Sequence, residues 1–217
     1  MATRLQRVAV CLMVVHMFSP PPGGAVRPQF YTVPSGQPLY RVSRHATFRH
    51  FGPLDFRFDH HVMGGAPGTV EERGIFYGAP SLECCIAEVY DELGIVFLDD
   101  LLILPEIRRP LTLLDVRGAT ATLAGAPADI SDYPLRPLTQ EWSRYFYDNP
   151  TIYGEVDGLL YTARHPHMDA YALYERCEAA IDSPGSPPYA YPLAHERVRE
   201  QVVAIAARRK LAVMHTR

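Results

Sequence analysis

Residues 74–93, GIFYGAPSLECCIAEVYDEL, decide how the chain reads. Ile75-Phe76-Tyr77 is a β-branched and aromatic run, the composition of a short strand. Gly78-Ala79-Pro80 breaks it, and Ser81 stands where a helix N-cap belongs. Leu82, Cys85, Ile86, Val89 and Leu93 then recur at one-turn spacing and predict the buried face of an amphipathic helix. At about 100° per residue, Glu88 falls roughly 120° from the centre of that stripe. A carboxylate on the flank of a helix can leave the core and face a cleft. The simpler alternative makes Glu88 one more solvated helix carboxylate, like Glu83, Asp91 and Glu92.

Before this unit, Pro38–Val42 (PLYRV) predicts a strand with Tyr40 and Val42 on one face and Arg41 on the other. Phe56–Asp59 alternates and predicts a second short strand, with Arg57 opposite the two phenylalanines. Residues 60–73 contain three glycines and a proline and read as a loop. After the helix, 95–97, 101–107 and 111–115 read as strands. Residues 117–135 hold short helices at most, and 137–147 is a helix with Pro137 in its first turn. Residues 157–162 and 170–174 read as strands paired around the loop ARHPHMD. A Pro-rich linker over 183–192, a helix over 194–210 and a last strand over 211–214 complete the chain. The sum is an α/β (α+β) domain: a twisted, mainly antiparallel sheet of about six strands with helices packed around it.

Residues 1–37 are set apart as an N-terminal extension preceding a domain over 38–217. Arg4 and Arg7 precede an apolar stretch, Val8–Phe18, and then Ser19-Pro20-Pro21-Pro22. That outline is signal-like, but the stretch is too short to span a bilayer as a helix, and no small-residue cleavage site follows directly. A variable extension is the simpler reading, with secretion the minor alternative to a cytoplasmic protein.

The length of 217 residues is enough for one full core. A net charge of −3 gives no broad basic surface, so a small substrate fits better than direct nucleic-acid binding. The four cysteines form no paired C-x-x-C array, which disfavours a structural zinc site. Asp59-His60-His61 and His165-x-His167-x-Asp169 offer imidazole and carboxylate ligands for Zn²⁺ or Fe²⁺. They support a His-based metal hydrolase as a subordinate reading; the preferred reading has no metal site.

Taken in order, LYRV, FGPLDFRFDHH, GIFYGAPSLECCIAEVYDE, LTLLDVRG, TQEW and DGLLYTARHPHMDAYALYE resemble the RES domain family, the toxin half of RES–Xre toxin–antitoxin pairs. The resemblance covers roughly residues 38 to 185. It implies a fold similar to the ADP-ribosyltransferases of the diphtheria-toxin type, and an enzyme that degrades NAD⁺ and arrests growth. It places the family's two arginines on Arg41 and Arg57, its tyrosine on Tyr77 and its glutamate on Glu88. Glu88, Arg41 and Tyr77 are then the expected catalytic residues. Arg41, Arg57, Tyr77, Thr162, Ala163 and His165 are the expected NAD⁺-binding residues, with Arg164 on the far rim. Ala163 stands where the family carries serine, a departure that fits an NAD⁺-binding module with impaired turnover as a second reading. The resemblance implies no cofactor beyond NAD⁺ as substrate. It implies a helix-turn-helix (Xre-type) antitoxin as partner, no membrane, and leaves room for a homodimer. The acceptor of the ribosyl unit is water, phosphate or a protein side chain.

Overall fold

The protein is described here by a computed structural model covering residues 20, 25–43, 56–60, 73–163, 167–181 and 190–215. The strand-turn-helix unit forms as its residues dictate. Strand β3 (Ile75–Gly78) runs into helix α1 (Leu82–Tyr90), and the Ser81 hydroxyl accepts the Cys84 N–H at 3.2 Å as an N-cap. The helix is shorter than the periodicity predicts. Gly94 adopts a left-handed φ of 71° and its N–H returns to the Tyr90 carbonyl at 2.8 Å, closing the helix end. Leu93 therefore lies beyond the helix and is 46% exposed rather than part of the buried stripe. The buried face is instead wide, comprising Leu82, Cys84, Cys85, Ile86, Ala87 and Tyr90, because the helix packs on several elements. Glu88 is exposed.

Around this unit lie β1 (Phe30–Val33), β2 (Arg41–Ser43), β4 (Ile95–Phe97), β5 (Leu101–Ile103), β6 (Leu111–Asp115), β7 (Gly158–Thr162), β8 (Asp169–Tyr174), β9 (Ala190–Pro192) and β10 (Ala212–Met214). The further helices are α2 (Gly118–Leu123), α3 (Arg136–Asp148), α4 (Pro150–Tyr153) and α5 (Glu196–Arg208), with a 3₁₀ segment over Glu175–Ile181. The main sheet has the order β1-β6-β7-β8-β3 and is antiparallel except between β6 and β7. A second, antiparallel sheet has the order β2-β5-β9, and β4 pairs in parallel with β10. The fold is thus mixed α/β with mainly antiparallel strands, as expected, but its strands divide among three sheets rather than one of about six. Strand β1 lies inside the stretch set apart as an extension, so the sheet begins before residue 38.

Among the described residues, an antiparallel bridge joins the two larger sheets. Tyr40 and Ala79 exchange two backbone hydrogen bonds of 2.9 Å. Pro80 follows and has no N–H to extend the ladder. Glycine is needed beside this bridge: a Cβ on Gly78 would stand 2.9 Å from Leu39 Cδ1 and 3.0 Å from the Tyr40 carbonyl oxygen. The bridge sets Arg41, the first residue of β2, beside the end of β3 and the start of α1.

Residues 56–59 form a turn, not the predicted strand. The Phe56 N–H donates to Asp59 Oδ2 at 3.2 Å and the Asp59 N–H donates to the Phe56 carbonyl at 3.4 Å. Phe58 is buried while Phe56 is 49% exposed, so the two rings do not share a face.

Gly158 in β7 faces the backbone of β8. A Cβ there would lie 2.3 Å from the Ala172 carbonyl oxygen and 2.8 Å from the Leu173 Cα. Neither atom belongs to a movable side chain. Gly158→Ala is expected to destabilise the protein by about 3 kcal/mol, measured by chemical denaturation.

Candidate functional site

Arg41 is the cation at the junction of the sheets. Its guanidinium lies 4.8 Å from the centre of the Phe76 ring. Beneath it, the Cys85 thiol of α1 donates to the Tyr40 carbonyl at 3.1 Å. Nη1 of Arg41 is buried and has no hydrogen-bond partner among the described residues. Burial lowers the pKa of the group, with Cys85 and Tyr77 opposing the shift. Arginine nevertheless stays charged in proteins, so among the described residues a desolvated cation is left with an unmet donor. Such an arrangement is costly unless an anion completes it.

Arg57 comes from the 56–59 turn. Its Nη1 donates to the Tyr133 carbonyl, and its own carbonyl accepts the Thr139 hydroxyl. Gln140 Nε2 donates to the Phe56 carbonyl at 2.8 Å. Through Thr139 and Gln140, the TQEW segment of α3 holds the main chain that carries Arg57.

Tyr77 faces the same turn. Its hydroxyl donates to Asp59 Oδ1 at 2.9 Å and accepts the Phe58 N–H at 2.9 Å. Burial and the Asp59 charge push this phenol well above its ordinary pKa. The Phe56 ring packs edge-on against Tyr77, with centroids 5.6 Å apart.

Tyr161, whose ring lies 5.0 Å from that of Phe58, joins these groups electrostatically. Burial drives its hydroxyl pKa well up; Glu88 adds to the shift and Arg57 opposes it. The charge of Glu88 also acts on Cys85, which is in electrostatic reach of Arg41. Glu88 and Arg57 thus both act on Tyr161, and Glu88 and Arg41 both lie in electrostatic reach of Cys85.

Thr162 ends β7, half-buried, and its N–H donates to Ser131 Oγ at 3.3 Å. Ala163 is wholly buried in the core, its N–H donating to the Met168 carbonyl at 2.8 Å. Arg164, His165 and His61 lie outside the described residues.

Two of the proposed metal ligands have protein partners. Asp59 accepts from Tyr77 and Phe56, and His60 Nε2 is 2.9 Å from Glu175 Oε2. Glu175 also accepts the Gly74 N–H at 3.2 Å and the Tyr147 hydroxyl. Burial would raise the Glu175 pKa, but the hydrogen bonds from His60 and Tyr147 prevail and hold it near about 2. Burial keeps His60 neutral below its ordinary range, even against the pull of Glu175. The ionised carboxylate can only accept, so Nε2 carries the proton. Among the described residues no three His, Cys, Asp or Glu side chains gather as a metal set.

Both groups of this pair bind fewer protons when folded than when unfolded, so stability falls as pH falls. The His60 contribution is present above about pH 6.5 and fades below it; the Glu175 contribution fades through the carboxylate range toward about 2. Between pH 7 and 5 the wild type is expected to lose about 1 kcal/mol more than His60→Gln, or ~2–4 °C in Tm by calorimetry.

Sequence reasoning does not find Tyr161, Glu175, Tyr133 or the part of Asp59 in the turn. Tyr161, Glu175 and Asp59 lie within the motif segments, but a single residue carries no sign of its partners. Other polar groups of these segments and of LTLLDVRG hold the sheet together. Arg117 forks onto Asp115 at 2.9 and 2.7 Å and reaches Asp169 at 2.7 Å, and Asp157 grips Arg109 and the Thr112 N–H.

Comparison with known proteins agrees with this architecture. The RES domain profile matches residues 38–194. Among solved structures, the crystal structure of the M. tuberculosis MbcT–MbcA toxin–antitoxin complex contains a chain similar in fold. Its TM-score is 0.51 at 14% identity, over 81% of this chain and 92% of that one. No curated protein matches the sequence.

Proposed function

The chain belongs to the RES domain family, and from that premise we propose that it cleaves NAD⁺ at the nicotinamide–ribose bond. The observation that carries the proposal is the buried Nη1 of Arg41, a donor with no hydrogen-bond partner among the described residues. A pyrophosphate oxygen supplies that anion, and Arg57 is the second guanidinium for it. Cleavage breaks the C1′–N bond, the electron pair leaves with neutral nicotinamide, and an acceptor (water, phosphate or a protein side chain) bonds to C1′ in its place. Positive charge then develops on the ribose, and the Glu88 carboxylate stabilises it more than it does the ground state. Tyr77, Thr162 and His165 are the further proposed NAD⁺-binding residues, whereas Ala163, wholly buried, presents no atom to the ligand.

In the cell this activity makes the chain a growth-arresting toxin of the cytoplasm. The solved neighbour is a toxin held with an antitoxin; for this chain we infer a helix-turn-helix antitoxin that covers the cleft. Among the described residues no helix is long and apolar enough to cross a membrane.

Incubation of the purified protein with NAD⁺ tests the reading. Free nicotinamide is expected to accumulate over time, by chromatography, in proportion to NAD⁺ lost. A second reading rests on Ala163, a buried methyl where the family has a hydroxyl. It predicts NAD⁺ binding by calorimetry without nicotinamide release.

A further inference from the structure

We propose that Asp59 is a positioning residue for Arg57, acting together with the Tyr77 hydroxyl, an inference that rests on the NAD⁺ reading above. Asp59 is 1% exposed. A carboxylate so desolvated needs donors. Oδ1 accepts the Tyr77 hydroxyl proton at 2.9 Å, and Oδ2 accepts the Phe56 N–H at 3.2 Å. On the far side of Arg57, the Phe58 N–H donates to the Tyr77 oxygen at 2.9 Å. The residues before and after Arg57 are thus pinned by one two-membered latch, and the phenol spends its proton and a lone pair on it.

This arrangement moves the work of Tyr77. Its hydroxyl serves the turn rather than the ribose, and only its ring is left to line the cleft. Arg57 gains from the latch directly. The main chain that carries Arg57 is ordered before the ligand arrives, so the backbone cost of ordering this turn does not fall on the binding step. The Thr139 and Gln140 bonds hold the carbonyls of the same turn; Asp59 and Tyr77 hold its N–H groups. A grip on phosphate is equal in ground and transition states, so its loss raises KM more than it lowers kcat. A residue that touched the reacting atoms would do the opposite.

The test compares KM and kcat for nicotinamide release from NAD⁺ in the wild type, Asp59→Ala, Asp59→Asn, Tyr77→Phe, Arg57→Ala and the double variant D59A/R57A. Asp59→Ala is expected to raise KM about tenfold with kcat within about threefold. Asp59→Asn, which keeps one acceptor oxygen, is expected to fall between it and the wild type. The double variant is expected to match Arg57→Ala within about twofold, since the latch acts through Arg57. Tyr77→Phe removes one oxygen only and reads the same latch if Asp59→Ala does not fold. If the wild type binds NAD⁺ without turnover, the dissociation constant replaces KM in every comparison. An unchanged KM in the folded variants, a loss confined to kcat, or a full further loss in the double variant overturns the latch and leaves the NAD⁺ reading standing. A wild type that neither binds nor cleaves NAD⁺ overturns both.

Discussion

Replacing Glu88 by alanine is expected to lower kcat for nicotinamide release about 10²–10³-fold while NAD⁺ binding and folding persist. The size follows from the charge that develops during cleavage. The substrate ring is already cationic at nicotinamide; as the C1′–N bond lengthens, positive charge moves onto the ribose, which the proposed function sets against Glu88. A carboxylate there is worth more as the reaction proceeds, so its removal falls on kcat rather than on KM. The fold has little at stake. Glu88 is exposed on α1, whereas the helix is held by Leu82, Cys84, Cys85, Ile86, Ala87 and Tyr90. Stability is therefore expected to stay within about 0.5 kcal/mol of wild type. Steady-state kinetics and a thermal melt on the same preparation check both halves. A variant that keeps full turnover removes Glu88 from the mechanism.

Arg41→Met is expected to have the opposite profile. NAD⁺ affinity should fall at least about 100-fold, since truncating one partner of a buried charge pair costs on the order of 2–5 kcal/mol. The ligand-free protein should nevertheless become more stable, by about 1 kcal/mol. The buried Nη1 has no hydrogen-bond partner among the described residues, and burial already works against its charge. Methionine fills much of the same volume beside Phe76 and Cys85 without a donor to satisfy. Stability kept below its optimum in the service of binding is a common trade at functional sites. Calorimetry with NAD⁺ and a melt without it read the two effects separately. A loss of both affinity and ligand-free stability would mean that Arg41 is a structural cation.

Where the governing interactions are local, the sequence makes the structure visible. Ser81 caps a helix three residues from its bonded N–H, and the β7–β8 hairpin sets Gly158–Thr162 against Asp169–Tyr174 within a few residues of the turn. Both can be read from residue types and spacing. The helix end is also legible, since Gly94 gives a stop signal that the run ending at Leu93 obscures. Phe56–Asp59 is not. Its alternation is real, but its backbone bonds go to Tyr77, Thr139, Gln140 and its own Asp59, so tertiary partners overrule the local pattern. The division into separate sheets turns on Tyr40 meeting Ala79 just before Pro80. The proline is in plain view, but the encounter is not. For the site, Arg41, Arg57, Tyr77 and Glu88 are expectations carried by the family resemblance. What each hydroxyl and guanidinium is bonded to requires coordinates, and that is why Tyr77 changes its part.

Arg41 is, on the proposed function, an incomplete phosphate site until a dinucleotide arrives. A crystal structure of the full chain with ADP-ribose, which keeps the pyrophosphate and lacks the leaving group, tests it most directly. A pyrophosphate oxygen is expected within hydrogen-bond distance of Arg41 Nη1, with Arg57 on the same phosphates and the ribose C1′ turned toward the Glu88 carboxylate. A ligand seated elsewhere, with Arg41 Nη1 still buried and without a partner, would contradict it.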